Sequence, residues 1–239
     1  MGEMNNRMKS FILLLCFALA LSPLYGDSTE PSGEIDTTGN EEYICGTYFG
    51  GIGCHSCEDV AKIIIDELFE QYPQLVLIVY ELEEEPANAE VIGKYSKRYR
   101  VGFMVPILIF NKKVKGAGGK VLKSKCKEMI KQFESNKCPL ADGEVPFDEL
   151  DISSLPGKPQ LWMKDRILIK EGKSEIDNRI LHKLLTTDSV YEVVKKIKYK
   201  EVKPENNQLV DKLSYRKAIR IDGWLFQWEP YYRSEQTEK

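Results

Sequence analysis

The dithiol Cys54-His55-Ser56-Cys57 is the sequence feature that most constrains this chain. It follows an apolar run that ends at Phe49 and a glycine-rich turn over residues 50–53, and it leads into a helical pattern. Two intervening residues let both sulfurs reach disulfide distance across one helical turn. The unpaired N–H groups and positive dipole end of a helix N-terminus favour the thiolate of the first cysteine. The pattern therefore predicts redox chemistry, with Cys54 attacking a disulfide and Cys57 resolving the mixed disulfide.

Two other roles for this cysteine pair stay open. A structural zinc site usually needs four ligands, but the chain has only His55 and His182 as histidines and no second C-x-x-C pair. Cys126 and Cys138 are far apart across a helical pattern. A purely structural Cys54–Cys57 bridge closes so small a loop that it removes little entropy from the unfolded chain. We therefore favour redox chemistry, and expect no metal or cofactor beyond the redox-active disulfide itself.

Hydrophobic periodicity predicts the order β-α-β-α-β-β-α around the dithiol. The continuous apolar run over residues 75–80 is typical of a central strand that is covered on both faces. A later strand begins at Val105-Pro106, because proline has no N–H for a ladder and suits a strand's first position. The other predicted elements are a strand over residues 43–49, a helix ending near Tyr72, a helix from Ala87 to Arg98, a turn at residues 111–113 into a strand at 114–116, and a helix from about Lys120 to Phe133.

These elements resemble the thioredoxin superfamily over about residues 42–134. The resemblance rests on C-H-S-C at a strand-to-helix turn, on V-P-I-L-I-F at the head of a later strand, and on the G-A-G-G turn before the last helix. It implies an α/β thioredoxin-like fold, with a central mixed sheet flanked by helices. It further implies that the Val105–Pro106 bond is cis and lies against the dithiol, and that the backbone of Val105 pairs with an extended substrate.

The chain departs from thioredoxin around the dithiol. The W-C-G-P-C-K of thioredoxin is replaced by G-C-H-S-C-E, and Tyr48 stands at the place of a buried acid six residues before the first cysteine. Glu81 is a candidate to replace that acid. His55 and Ser56 are candidates to tune the redox chemistry, since a loop histidine in Dsb-type periplasmic proteins stabilises the reduced thiolate. The direction of electron flow stays open.

The N-terminal residues predict export. Arg7 and Lys9 precede an apolar run from Phe11 to Leu21, which together with the residues up to Gly26 has the three parts of a secretory signal peptide. The run is short for a membrane span, and an uncleaved anchor stays open. Residues 27–41 are polar and are predicted to form a flexible linker. We therefore expect the redox domain to be extracytoplasmic, either secreted or tethered to the outer face of the cytoplasmic membrane, where disulfides persist.

Three further cysteines follow the signal segment, namely Cys45, Cys126 and Cys138. Cys126 and Cys138 flank most of the predicted last helix. A Cys45–Cys138 bridge and a Cys126–Cys138 bridge are both compatible with the sequence, and either leaves one cysteine free.

Residues 141–239 are predicted to form a small α+β accessory region after a thioredoxin-like domain at 42–140. Gln160–Lys170 is predicted to contain a strand and Lys217–Trp228 to form another, and residues 180–185 and 190–197 are predicted to be helical. The string L-P-G-K-P-Q-L-W-M-K-D-R-I-L-I-K resembles secreted prokaryotic, especially archaeal, thioredoxin-like proteins. Some of these precede a membrane electron-transfer domain of the cytochrome c biogenesis type.

The predicted function is that of an extracytoplasmic thiol–disulfide oxidoreductase whose partners are protein thiols and disulfides. The resemblance adds a membrane electron-transfer partner of the cytochrome c biogenesis type. A net charge of −3 does not indicate nucleic-acid binding. The alternative is a non-enzymatic docking module for a membrane or secreted partner, but such a module has no need for both sulfurs.

Overall fold

One mixed sheet of nine strands, flanked by helices, forms the centre of the described part of the chain. The computed structural model describes residues 43–83 and 85–233. The signal peptide and the linker that we predict for residues 1–26 and 27–41 lie outside these residues. Within them, no helix is both long and apolar enough to cross a membrane.

The first half of the sheet is built around β1 (Ile44–Gly50), which is buried along its whole length. It pairs in parallel with β2 (Leu75–Glu81) and antiparallel with β3 (Ile107–Ile109), which in turn pairs with the edge strand β4 (Lys115–Ala117). The helices of this half are α1 (His55–Ile63), α2 (Phe69–Gln71), α3 (Pro86–Tyr99) and α4 (Gly119–Ile130), with a π-helical segment at Ile64–Leu68. The predicted β-α-β-α-β-β-α order is confirmed, and its first helix continues through the π-helical segment into α2.

Side chains alternate between the two faces of β1, and each face has its own apolar core. Tyr48 belongs to the core that contains Val60 of α1 and Leu122 of α4. Phe49 belongs to the opposite core, together with Tyr95 of α3. A strand that is covered in this way carries a continuous apolar run, which is the pattern of β2 in the sequence.

The C-terminal region extends the same sheet edge to edge. Its elements are β5 (Cys138–Pro139), β6 (Glu144–Val145), a 3-10 helix (Phe147–Glu149), β7 (Gln160–Met163), β8 (Arg166–Lys170), α5 (Asn178–Thr186), α6 (Val190–Val194), β9 (Lys200–Glu201), β10 (Leu213–Ile221) and β11 (Trp224–Tyr232). Strand β7 pairs antiparallel with β2 at Leu77, Ile78 and Val79, and the remaining strands follow it outward in the order β8, β11, β10, β9. The β5–β6 pair forms a separate small sheet, and the boundary that we predict at residues 140/141 lies between its two strands.

Two segments in which we predicted one strand each contain two strands that form a hairpin, so the predictions were wrong on the number of strands. Gln160–Lys170 reverses at Lys164-Asp165, and Lys217–Trp228 reverses at Asp222-Gly223. Asp222 and Gly223 have φ values of 36° and 79°. Two-residue hairpin turns adopt this left-handed region because it matches the twist of the flanking strands. The predicted helix over residues 190–197 is also shorter, since α6 ends at Val194.

Cys45 and Cys138 form a buried disulfide, and Cys126 is a buried free thiol. This resolves the pairing that the sequence left open. Asn136 fixes the segment after α4 against β1. Its side chain accepts a hydrogen bond from the Cys45 N–H at 2.9 Å and donates hydrogen bonds to the carbonyls of Cys45 and Phe110. The chain is thereby directed to Cys45, so that Cys138 and not Cys126 becomes its partner.

Replacing both Cys45 and Cys138 with alanine should lower the free energy of unfolding. The bridge spans 93 residues, and in the chain-entropy model a loop of that size stabilises by about 4–5 kcal/mol. The matched control is the Cys54→Ala/Cys57→Ala double variant, whose three-residue separation predicts a loss of only about 2 kcal/mol. Denaturant unfolding measures both values, and equal losses would contradict the assignment of Cys45–Cys138 as the main covalent brace.

Candidate active site

The dithiol lies at the start of α1, where β1 and its glycine turn deliver the chain. Cys54 is the N-cap residue, and its Sγ accepts a hydrogen bond from the Cys57 N–H at 3.3 Å. The two sulfurs are bonded to each other. Cys57 is fully buried, whereas Cys54 is partly exposed. In the reduced protein the same N–H and the helix dipole favour a thiolate on Cys54, the sulfur that solvent reaches.

The turn before Cys54 is held by the carboxylate of Glu81. This buried side chain accepts hydrogen bonds from the N–H groups of Ile52 at 3.1 Å and of Glu83 at 2.6 Å. The Cys54 N–H closes the turn onto the Gly51 carbonyl at 3.2 Å. Glu81, which we proposed from the sequence as a replacement acid, thus lies against the turn before Cys54 and fixes its backbone.

Tyr48 contacts the dithiol through its hydroxyl group. The hydroxyl donates a hydrogen bond to the Cys57 carbonyl at 2.8 Å, and the side chain is fully buried. Burial, together with the nearby Cys126 thiol, raises the pKa of Tyr48 far above its usual range. Tyr48 therefore keeps its proton. Its hydroxyl group donates the hydrogen bond that positions the Cys57 backbone, and it does not replace the buried carboxylate of thioredoxin as a proton carrier.

His55 and Ser56 face in different directions. The His55 side chain is 88% exposed and lies 3.8 Å from the Asp59 carboxylate. Asp59 also pairs with Lys123 at 2.7 Å, and this hydrogen bond lowers the pKa of Asp59. Ser56 is directed inward, with its Oγ 3.5 Å from the Cys54 sulfur. His55 therefore lies on the solvent side of the sulfurs, and Ser56 lies on the protein side.

The Val105–Pro106 bond is cis, as the resemblance implies. The Pro106 carbonyl accepts a hydrogen bond from the Gly118 N–H at 2.8 Å, which joins this segment to the start of α4. There Gly119 is packed so closely against Ser56 that a Cβ on Gly119 would lie 2.4 Å from the Ser56 Cβ. These contacts bring the proline segment and the G-A-G-G turn to the dithiol.

The backbone N–H of Val105 makes no hydrogen bond within the described residues. The two side chains that precede it, Phe103 and Met104, are 66% and 70% exposed. Together they form an apolar rim next to an unpaired backbone segment, which is an arrangement that an added extended strand can occupy.

The C-terminal region supplies a wall of the site that the sequence analysis missed. Leu209 is buried against Gly50, such that a Cβ on Gly50 would lie 3.2 Å from both of its methyl carbons. Asn207 fixes this loop, because its Oδ1 accepts the N–H groups of Leu209 and Val210, each at 2.9 Å. The side chain of Gln160, in β7, donates a hydrogen bond to the side chain of Gln208 in this loop. Only the fold brings residue 209 next to residue 50, so the sequence carries no local signal for this contact.

Comparison of the chain with protein-family models, with curated proteins and with solved structures finds no match in any of the three. Within residues 43–83 and 85–233, no group of three or more His, Cys, Asp or Glu side chains is arranged to hold a metal ion.

Replacing Gly119 with alanine should displace the redox loop. The added Cβ would overlap Ser56, and overpacking of this kind typically costs about 1–3 kcal/mol. The matched control is Gly93→Ala inside α3, where a Cβ meets nothing within 4 Å and helix propensity favours alanine by about 1 kcal/mol. Denaturant unfolding should show a loss for the first variant and no loss for the second. Equal stability of the Gly119 variant and the wild type would show that the start of α4 is not closely packed against Ser56.

Brief alkylation of the reduced protein should label Cys54 before Cys57. The reason is that Cys54 is partly exposed at the helix N-cap, whereas Cys57 is fully buried behind it. Peptide mapping by mass spectrometry at increasing times measures the order. Buried Cys126 serves as the internal slow control. If Cys57 were labelled first, the two roles would be reversed.

Proposed function

We propose that this protein is a thiol–disulfide oxidoreductase that uses the Cys54–Cys57 dithiol to exchange disulfides with protein substrates. The observation that carries the proposal is the placement of the two sulfurs. One is partly exposed at the N-cap of α1, and the other is fully buried one helical turn later. A reactive cysteine needs access, and a helix N-terminus favours its thiolate, whereas a buried resolving cysteine is protected from other thiols.

We also propose that residues 42–140 have a thioredoxin-like fold. The arrangement is compatible with it in three ways. The strand order is β4-β3-β1-β2 with only the β1–β2 pair parallel. Helices α1 and α4 share one core, and α3 belongs to the other. The cis Val105–Pro106 segment is joined by the Gly118 hydrogen bond to the turn that packs on the dithiol.

In the reductive direction, the Cys54 thiolate attacks one sulfur of the substrate disulfide. A Cys54–substrate bond forms, the substrate disulfide breaks, and the first substrate thiolate leaves. The Cys57 thiol gives its proton to that thiolate and attacks the Cys54 sulfur. The Cys54–Cys57 bond forms and the second substrate sulfur leaves as a thiolate. Two electrons pass from the dithiol to the substrate, and the reverse sequence oxidises a substrate dithiol.

Substrate pairing is assigned to Val105 and Pro106. The unpaired Val105 N–H can bond an extended substrate backbone, and the exposed Phe103 and Met104 side chains can cover the apolar residues beside the substrate disulfide. His55 and Ser56 are assigned to tuning the redox reactivity of the two sulfurs. Both residues lie between Cys54 and Cys57 in the chain, and Ser56 Oγ lies close to Cys54 Sγ.

We propose an extracytoplasmic location for this activity, secreted or tethered to the outer face of the cytoplasmic membrane. The buried Cys45–Cys138 bridge supports it, because structural disulfides persist mainly outside the cytosol. The signal-peptide pattern of residues 1–26 supports it independently. A membrane electron-transfer partner of the cytochrome c biogenesis type would complete the redox cycle, and this partner rests on the resemblance alone.

Reduction of insulin by dithiothreitol tests the proposal. The wild-type protein should accelerate the precipitation of insulin chains, and Cys54→Ser should abolish the acceleration. Cys57→Ser should instead accumulate a mixed disulfide on Cys54, because the resolving step is lost. Cys126→Ala is the matched control and should retain the activity. No acceleration by the wild type, or an undiminished rate in Cys54→Ser, would favour the alternative of a non-enzymatic docking module.

A further inference from the structure

Positive charge is concentrated in residues 111–137, which run from the turn after β3 through β4 and α4. This segment contains nine lysines and two glutamates, although the whole chain has a net charge of −3. The segment thus has an excess of seven positive charges, and the rest of the chain has an excess of ten negative ones. Eight of the nine lysines are exposed, and Lys115 is half-buried.

Acidic neighbours neutralise only part of this charge. Three of the lysines form ion pairs, namely Lys123 with Asp59, Lys127 with Glu67 and Lys131 with Glu128. Two of these pairs lie on the side of α4 that faces α1. The other six lysines have no carboxylate within ion-pair distance in the described part of the chain; they are Lys112, Lys113, Lys115, Lys120, Lys125 and Lys137.

The charged surface begins at the dithiol. Gly119, the first residue of α4, is packed against Ser56, and the exposed side chains of Lys120 and Val121 follow it directly. Lys125 lies about 9 Å further along the helix axis than Gly119, given a rise of 1.5 Å per residue. That distance is close to one Debye length at physiological salt and well below one at low ionic strength, so at low ionic strength a charge on a polypeptide bound beside Gly119 interacts with both lysines.

We propose that the exposed surface of α4 that carries Lys120 and Lys125, here called the basic face, selects substrates whose disulfide is flanked by aspartate and glutamate. The proposal rests on the oxidoreductase function given above. A protein occupant is favoured over a nucleic acid or an anionic lipid because the face is continuous with the dithiol and with the apolar side chains of Val121 and Met104. Unpaired charges at the rim of a site act mainly by accelerating encounter with a partner of opposite charge.

Two disulfide-cyclised peptides test this selection, identical except that glutamates flank the disulfide in one and lysines in the other. The reduced full-length protein is mixed with each peptide at low ionic strength, and acid-quenched samples are resolved by chromatography. The acidic peptide should react about tenfold faster, because steering by opposite charges raises association rates by that order or more. The ratio of the two rates should fall toward one as salt is added.

A charge-reversal variant and a matched control locate the effect. Lys120→Glu/Lys125→Glu should abolish the preference for the acidic peptide or invert it. Lys196→Glu/Lys198→Glu makes the same change of charge at two exposed lysines next to α6, in the C-terminal region, and should leave the preference in place. Circular dichroism establishes that both variants are folded before the rates are compared.

The outcomes separate this inference from the function on which it rests. Equal rates for the two peptides, or an equal loss of preference in both variants, would overturn the inference and leave the oxidoreductase function standing. Exchange with neither peptide would defeat the oxidoreductase function itself. Equal peptide rates together with Lys120- and Lys125-dependent binding of a single-stranded oligonucleotide or of phosphatidylglycerol vesicles would also overturn the inference, and would assign the face to that polyanion.

Discussion

The structure depends on the complete burial of β1. Every residue of this strand is excluded from solvent, because β2 and β3 pair with its edges and an apolar core covers each face. Its side chains connect it to neighbouring segments, with Cys45 bonded to Cys138, Thr47 donating a hydrogen bond to the Pro139 carbonyl and Tyr48 donating one to the Cys57 carbonyl. A rigid strand that ends in a glycine turn delivers Cys54 to one place, as a reacting sulfur requires.

The C-terminal region is part of the same physical unit as the dithiol. Its strands continue the sheet beyond β2, and its Leu209 packs on Gly50 where β1 ends. The turn before Cys54 is therefore supported on one side by Glu81 and on another by the loop that contains Leu209. Leu209 packs on Gly50, four residues before Cys54, and shares an apolar core with Tyr48, which donates a hydrogen bond to the Cys57 carbonyl.

The sequence predicted the elements whose signals are local. The helices and strands around the dithiol follow from periodicity, and the C-x-x-C pair lies at a helix N-terminus as its spacing requires. The strand that contains Asp222-Gly223 was misread, although this dipeptide is itself a hairpin signal. Its flanks are apolar on both sides, so the run resembled one long strand.

Other features could not be predicted because they depend on distant residues. The choice of Cys138 over Cys126 follows from Asn136, whose amide holds β1 and the end of β3 together. The packing of Leu209 on Gly50 and the hydrogen bond from Tyr48 to Cys57 likewise need the fold to bring the groups together. A single sequence contains the residues for these contacts but no pattern that pairs them.

The central claim is that Cys54 and Cys57 form a reversible redox couple, whereas Cys45–Cys138 is a permanent structural bond. Equilibration of the folded protein in a series of glutathione buffers, followed by acid trapping, thiol labelling and peptide mapping, tests it most directly. The account predicts that Cys54 and Cys57 gain label together in one two-electron transition, because glutathione can attack the partly exposed Cys54 sulfur. Cys45 and Cys138 should remain unlabelled, because both sulfurs of that bridge are buried and glutathione reaches neither. Reduction of Cys45–Cys138 while Cys54–Cys57 stays oxidised would contradict it.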